Sequence, residues 1–508
     1  MTRLRVLAPA CLFACGGPSR PLPPPGSPDV IVFTVDTLRA DRLGYAGHSA
    51  AHTPHLDAFA ARSRNFAHAT TPLTRTTPAL ASMLTGVDPR GHGSWEVGAA
   101  IRDDIPTLAE RLHAAGWATV AVSGSPVAAP KQGLGRGFDV FTVLEDPPAR
   151  TLVDTALDAV GQVESDRPVL LWVHTVDPHF PYVVPEGHPS SGHTPACDAL
   201  GQRFTKRPKK RWRIFSNHGG VAADALADCQ RAYDVEISAV DDAFGGLLDA
   251  LGPRAAGWVV VTSDHGENQG EGNLWYEHGP DARDVSLRVP LLVAGPGVAA
   301  GIDNGPARLQ DVAPTLLAGL GLPELGGTGA GADLLGAGRP EAAVGVSASA
   351  LHPGLTRYLR SGRSHKRHCL NPPAHAVSWC SDGAFDREAD PALTTVVSVD
   401  PARAAALEEA AARWPPEHAR QWVARTADWK LVATPRFEGG FAYRLVSTTD
   451  EDGADHSATH PELRARLEAV LRADSQGAAV PSPGTVAVKA GGLSPEDDEA
   501  LRTLGYIE

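Results

Sequence analysis

The sequence predicts an α/β fold, with a mixed, mostly parallel central sheet sandwiched by helices and a smaller C-terminal α+β subdomain. From Asp29 onward, apolar runs of strand length alternate with stretches of helical periodicity, the pattern of a sheet covered on both faces by helices. Polar residues with chemical competence fall just after the apolar runs, and in such folds ligands gather beyond the carboxyl ends of the strands. After about Gly338 the periodicity weakens into short strand-like runs. These read as a second unit packed on the first.

Taken in order, the expected strands are Val30 to Val35, Trp117 to Val122, Val169 to Val173, Trp258 to Thr262 and Val289 to Val293. The expected helices between them lie near Leu56 to Phe66, Ile105 to Ala114, Leu152 to Val163, Arg231 to Leu251 and Leu309 to Leu320. In the C-terminal part, Gln421 to Ala424, Trp429 to Val432 and Ala442 to Val446 suggest a small antiparallel sheet, with a helix near Pro461 to Arg472. A chain of 508 residues with 43% apolar composition buries a large core. At roughly 150 residues per domain it accommodates two or more units. The expected division is a leader at 1–14, a tether at 15–28, a catalytic domain at 29–338 and the smaller subdomain at 339–508. No internal repeat is visible.

The formal net charge of -13 excludes a general nucleic-acid binder, which needs a basic surface to displace phosphate counterions. Anionic small esters stay open as substrates, because a site potential is local. Arg3 and Arg5 followed by the apolar Val6 to Ala14 have a signal-peptide layout, so the chain is expected to be exported. Leu12-Phe13-Ala14-Cys15 resembles a bacterial lipobox, in which Cys15 becomes the lipidated first residue and holds the protein to a membrane in the periplasm or at the cell surface. The stretch Gly16 to Pro28 is Gly, Pro and Ser with little to bury, hence a tether. A spanning helix needs about 20 apolar residues, and none are supplied. With Cys11 removed and Cys15 lipidated, Cys197, Cys229, Cys369 and Cys380 remain. In an oxidising compartment they suggest two disulfides, most simply Cys197 with Cys229 and Cys369 with Cys380, among three connectivities.

Asp36 directly follows the first strand, His174 the third, and Asp264 with His265 the fourth. Alone, each reads equally well as a helix cap or a surface loop. Together, oxygen and nitrogen ligands on two loops suit one divalent cation with positions left open for substrate. The segment Thr74 to Gly86 adds a nucleophile. Pro78 just inside a short apolar helix sets Thr76 and Thr77 at its N-terminus, where free N–H groups and the positive dipole end favour an anion or alkoxide.

These segments together resemble the sulfatase family of the alkaline phosphatase superfamily. Its signature, Cys-or-Ser-x-Pro-Ser-Arg followed by Leu-Thr-Gly, matches the spacing of Thr76-x-Pro78 and Leu84-Thr85-Gly86. Further matches are Asp36 to Asp41, Thr53 to Asp57, His174 to Tyr182, Ser263 to Glu267, His278-Gly279, Arg288 to Leu291, Asp311 to Leu316 and the tail Leu493 to Tyr506. The resemblance implies an alkaline phosphatase/sulfatase-like fold and one divalent metal ion (calcium, manganese, magnesium or zinc) held by Asp36, Asp264 and His265. It implies that Thr76 is nucleophile and metal contact, and that His179 and His278 meet the ester group, with His174 beside them. The substrate would be an anionic ester of a small molecule, glycan or lipid head group.

The chain also departs from that pattern. Sulfatases convert the signature Cys or Ser to formylglycine, whose second hydroxyl expels sulfate. Thr76 has no such route, so water must release the ester group, which leans toward phosphate or phosphonate esters. Leu80 stands where the signature has Arg, and Ser123 to Pro126 stand where the family has a Lys and a His. Arg75 is the neighbouring substitute for a lost cation. Thr37 replaces a second aspartate, as a weak ligand or a hydrogen-bond donor. Two other activities fit the same residues: transfer of a phosphoryl-linked head group to an acceptor alcohol, or a degenerate, non-catalytic binding protein. Basic stretches at Arg203 to Arg213 and Arg357 to His368 read as solvated loops, or as contacts to an anionic substrate or to membrane headgroups.

Overall fold

The computed structural model describes residues 22–50, 52–163, 167–183, 195–206, 222–271, 275–276, 278, 282–346, 369–370, 377–380, 383–386, 421–435, 441–451 and 453–476. The leader with Cys15, the basic segments 207–213 and 357–368 and the tail 493–506 lie outside the described residues.

An eight-stranded sheet forms the centre. Its strands are β1 (Val30–Val35), β2 (Arg64–Thr70), β3 (Ala118–Ser123), β4 (Val140–Val143), β5 (Val169–Thr175), β6 (Trp258–Ser263), β7 (Leu291–Ala294) and β8 (Gly301–Arg308), in the order β4-β3-β5-β1-β6-β7-β2-β8. Pairs from β4 through β6 are parallel. The pairs β6–β7 and β7–β2 are antiparallel, and β2–β8 is parallel. The mixed, mostly parallel sheet expected from the sequence is therefore present, and the expected strand at Val289 to Val293 is the one that runs against its neighbours.

The central strands are apolar throughout because both of their faces are covered. Ile31, Phe33 and Val35 enter one core and Val30 and Val32 the other, following the two-residue alternation of a strand. The first core takes the helices α1 (Pro54–Ala61), α5 (Ala149–Gly161) and α7 (Ala223–Leu251). The second takes α2 (Thr76–Thr85), α4 (Leu108–Ala114) and α9 (Val312–Gly319). Three short or peripheral helices complete the set: α3 (Pro89–His92), α6 (Pro195–Lys206) and α8 (Asp284–Leu287). The disulfide Cys197–Cys229 joins α6 to α7.

In the large sheet three strands escape the sequence pattern. β4 is a short, partly exposed edge strand. β8 contains Gly, Asn and Pro, which only an edge strand tolerates. β2 begins at Arg64, inside the expected helix Leu56 to Phe66. That helix ends at Ala61, and Arg64 pairs instead with Val293 and Gly301.

In the C-terminal part, β9 (Ala343–Val346), β13 (Trp422–Arg425), β14 (Trp429–Pro435) and β15 (Phe441–Ser447) form an antiparallel sheet in the order β15-β14-β13-β9. The helix α10 (Pro461–Gln476) packs Leu467 and Leu471 onto it. A second antiparallel sheet comprises β10 (Cys369–Leu370), β11 (Val377–Cys380) and β12 (Gly383–Asp386), with Cys369 and Cys380 as register partners.

A buried charge cluster clasps the large sheet's loops to the four-stranded sheet. Asp284 on α8 meets Arg425 at 2.6 Å and Lys430 at 3.1 Å, and Lys430 also meets Glu451 at 2.7 Å. Burial alone would raise the Asp284 carboxyl, but Lys430 and Arg425 outweigh it and hold the group below the usual carboxylate range. Removing Asp284 strands Arg425 as an uncompensated buried charge and leaves Lys430 to Glu451 alone. Asp284→Asn is therefore expected to destabilise the protein by about 3–5 kcal/mol, read as a lower urea midpoint. A loss under about 1 kcal/mol would reduce the clasp to the rank of a surface ion pair.

Candidate functional site

The strand order puts the chemistry together. β1 lies between β5 and β6, with Val35 in register with both Thr175 and Ser263, so the loops leaving these strands emerge side by side. Asp36 leaves β1, Asp264 and His265 leave β6, and the segment carrying His179 leaves β5. The Asp36 N–H donates to the Thr175 carbonyl at 2.9 Å, locking the first loop against its neighbour.

Asp36, Asp264 and His265 are fully buried, and one ligand atom of each lies within 4.8 Å of the others. The His265 Nδ1 lies 3.0 Å from the Gly266 carbonyl, which can only accept, so this nitrogen carries the hydrogen. Nε2 is left facing Asp264 Oδ2 at 3.4 Å, Asp36 Oδ1 at 3.9 Å and Thr76 Oγ1 at 3.4 Å. Asp264 Oδ1 accepts the N–H groups of Thr37 at 3.2 Å and His265 at 2.8 Å. Burial raises the Asp264 carboxyl, opposed by His174 and by these N–H donors.

Thr37 closes the cluster at a conformational cost. Its φ of 54° is rare for a β-branched residue, and its buried Oγ1 has no hydrogen-bond partner. Tyr233 on α7 fixes this turn: its hydroxyl donates to the Thr37 carbonyl at 2.7 Å and accepts the Arg39 N–H at 2.9 Å. The nearby guanidinium of Arg39 is turned to Asp41 and Glu271, each at 2.8 Å. Two buried carboxylates, an imidazole nitrogen and a partnerless hydroxyl form a donor set that fits one divalent cation.

Thr76 is the first residue of α2, fully buried, with Arg75 as its extended cap residue. The Thr77 hydroxyl donates to the Val127 carbonyl and accepts the Gly98 N–H, anchoring that helix end. Arg75 Nη1 lies 3.2 Å from His278 Nδ1. The His278 ring stacks on His265 with centroids 4.2 Å apart, and its Nε2 lies 3.3 Å from His179 Nε2. Burial, with the charges of His265, Arg75 and His179, pushes His278 well below its ordinary value.

The residues expected from the sequence thus converge, and His174 lies within the sheet, near enough to Asp264 and His265 for their charges to act on it. It is the register partner of Thr34 and Ser123 within the sheet, and its Nδ1 lies 3.0 Å from Thr34 Oγ1. Burial lowers it to about 4, with Asp264 opposing and His265 reinforcing. Other matched segments turn out to be architectural. Thr53 and Asp57 accept the N–H groups of Gly44 and Tyr45, and a Cβ on Gly44 would fall 2.2 Å from Asp57 Oδ2. Asp311 holds Arg308 and the Ala332 N–H.

Sequence reasoning missed the residues that hold the active loops. Tyr233 and Glu236 sit mid-helix with no local signature. His92 accepts the Ser94 N–H on Nδ1 and lies 2.8 Å through Nε2 from Ser82 Oγ, which donates back to the Pro78 carbonyl in α2. The His179 segment is bound by carboxylates: Asp177 accepts the Ala149 N–H at 2.9 Å, Glu236 accepts the Val183 N–H, and Glu267 accepts the Phe180 N–H and the Tyr182 hydroxyl.

Burial raises Asp177 to about 7, with the Ala149 N–H opposing and Asp146 reinforcing. An unfolded Asp releases its proton near pH 4, so between about 4 and 7 the folded chain binds more protons. This contribution to stability is fully present at the acid end and is lost as pH rises through that window. Asp177→Asn still accepts from Ala149, and is expected to flatten the pH dependence of Tm between about pH 4 and 7. An unchanged slope would show that Asp177 is ionised throughout.

The Sulfatase family profile matches residues 28–322. The choline-sulfatase of Rhizobium meliloti (strain 1021) is 26% identical over 438 residues, covering 74% of this chain and 83% of the relative. The ulvan-active sulfatase of Formosa agariphila is 28% identical over 58% of this chain and 61% of its own length. Among solved structures, the phosphonate monoester hydrolase of Agrobacterium radiobacter superposes with a TM-score of 0.61 at 17% identity, covering 89% of this chain and 96% of that one. That of Silicibacter pomeroyi gives 0.61 at 17%, covering 88% and 95%. The structural likeness extends to the fold.

Proposed function

For a chain that belongs to the sulfatase family, we propose a metal-dependent hydrolase of phosphate or phosphonate esters, and more weakly of sulfate esters, with Thr76 as nucleophile. It is a sulfatase-like ester hydrolase acting on an anionic ester. The observation that carries the finer reading is the meeting of Thr76 Oγ1, at the start of α2, with Asp36, Asp264 and His265.

Asp36, Asp264, His265, Thr76 and Thr37 would hold one divalent ion. When bound, that ion lowers the pKa of the Thr76 hydroxyl, so that its proton is lost to solvent, and offsets charge on the ester oxygens. Thr76 Oγ then forms a bond to phosphorus or sulfur as the bond to the leaving oxygen breaks. His179, in its protonated form, gives its proton to that oxygen, releasing an alcohol. The positive dipole end at the start of α2 and the Arg75 guanidinium bind the non-bridging oxygens. In the second step a water oxygen bonds to the same centre and the bond to Thr76 Oγ breaks. One water proton returns to His179, and the acid is released.

Threonine lacks the second hydroxyl by which a formylglycine hydrate expels sulfate, so release depends on water attack, which is the better precedented route at phosphorus. The Cys197–Cys229 disulfide supports an oxidising compartment. With the leader and Cys15 it supports export and a lipid anchor, and no helix among the described residues is long and apolar enough to cross a membrane.

Thr76→Ala is expected to lower kcat by on the order of a thousandfold or more, and chelation to do the same reversibly, on nitrophenyl phosphate, phosphodiester, phosphonate and sulfate. Turnover indifferent to both treatments would remove the proposed chemistry, and faster cleavage of sulfate than of every phosphorus ester would reverse the stated preference.

A further inference from the structure

We infer that Glu267 is a positioning residue whose carboxylate fixes His179 relative to the metal-ligand loop. The inference rests on His179 acting as the acid of the proposed reaction.

Glu267 lies two residues beyond His265 in the loop leaving β6, and it is fully buried. One of its carboxylate oxygens accepts the Tyr182 hydroxyl and the other the Phe180 N–H, at 3.4 Å. Both contacts fall on the segment that begins with His179. The Glu267 carbonyl takes Arg39 Nη1 at 3.3 Å, and that guanidinium is itself held by Asp41 and Glu271. His179 in turn touches His278, and His278 stacks on His265. The contacts therefore form a closed ring, from His265 along the chain to Glu267, across to Phe180, back to His179, and through His278 to His265.

The chemistry of the two partners explains a carboxylate here. The Tyr182 hydroxyl oxygen already accepts Gln269 Nε2 at 3.3 Å, so the hydroxyl turns its proton to Glu267, and with the Phe180 N–H the bridging group meets two donors. A carboxylate offers two acceptors, whereas a carboxamide has one acceptor and one donor, and would set its NH2 against the Phe180 N–H or against a hydroxyl oxygen already taken by Gln269. Stacked or edge-on rings of Phe180, Tyr182, Tyr233 and Tyr276 surround the group, so the segment has little room to find another partner. A shift of about 1 Å in an acid is enough to lose much of its contribution.

The test is a leaving-group comparison. An alkyl ester needs a proton on its departing oxygen, and a nitrophenyl ester of the same acid does not. Glu267→Gln is expected to lower kcat on the alkyl ester at least about tenfold while changing the nitrophenyl ester by less than about threefold. Tyr182→Phe removes one of the two contacts and should give a smaller loss with the same selectivity. In a His179→Ala background the Glu267→Gln effect on the alkyl ester should disappear, because the two residues act through one group. Equal losses on both esters, or an undiminished Glu267→Gln effect without His179, would overturn the assignment. If Glu267→Gln does not fold, Tyr182→Phe decides alone by the same selectivity. These outcomes are separable from failure of the reaction itself, which shows in wild-type turnover that ignores Thr76→Ala and chelation.

Discussion

The structure is organised around the burial of two carboxylates, Asp36 and Asp264, at the ends of adjacent parallel strands. Buried anions of this kind are unfavourable unless a cation meets them, and the surroundings bring together what such a cation needs. The strand order β5-β1-β6 makes the loops neighbours, Tyr233 holds Thr37 in a left-handed turn, and the Gly266 carbonyl fixes the His265 tautomer. α2 then delivers Thr76 with the positive end of its dipole toward the same point.

Around this centre a second layer sets the histidines rather than the ligands. His179 and His278 contact one another, and their segments are tied down by Glu267, Glu236 and Arg75. Acidic residues do this work because the groups to be held are backbone N–H and phenol donors. Burial, with neighbouring carboxyls reinforcing it, raises the proton affinity of Asp177 and Glu236, so the layer that ties down these segments is itself pH-dependent.

The central strands and the site cluster were legible because each has a local cause. Val30 to Val35 is apolar since both faces are covered, and Asp36 follows because polar groups collect at strand ends. β4 and β8 were hidden by short or broken apolar patterns, which the edge of a sheet permits and a central position forbids, and β2, paired on both sides just inside β8, by the polar residues that open it at Arg64 and Asn65. Tyr233, Glu236 and His92 were hidden for another reason. Their contacts span the fold, Tyr233 to Thr37 crossing 196 positions, and no periodicity encodes such a meeting. Glu267 was quoted as part of a matched segment without a role, since only the cross-loop contact supplies one.

Leu80, on the core side of α2, limits what the site can become. Its side chain is fully buried in the apolar core between α2 and the sheet, with Leu84, Leu112 and Leu316 in the same cluster. Restoring an arginine there by a single replacement would drive a charge into a packed hydrocarbon layer, a change of several kcal/mol against folding. Any substitution that puts a cation at this position would therefore have to change the core and the site together, whereas residues at the mouth of the site can vary without disturbing that packing.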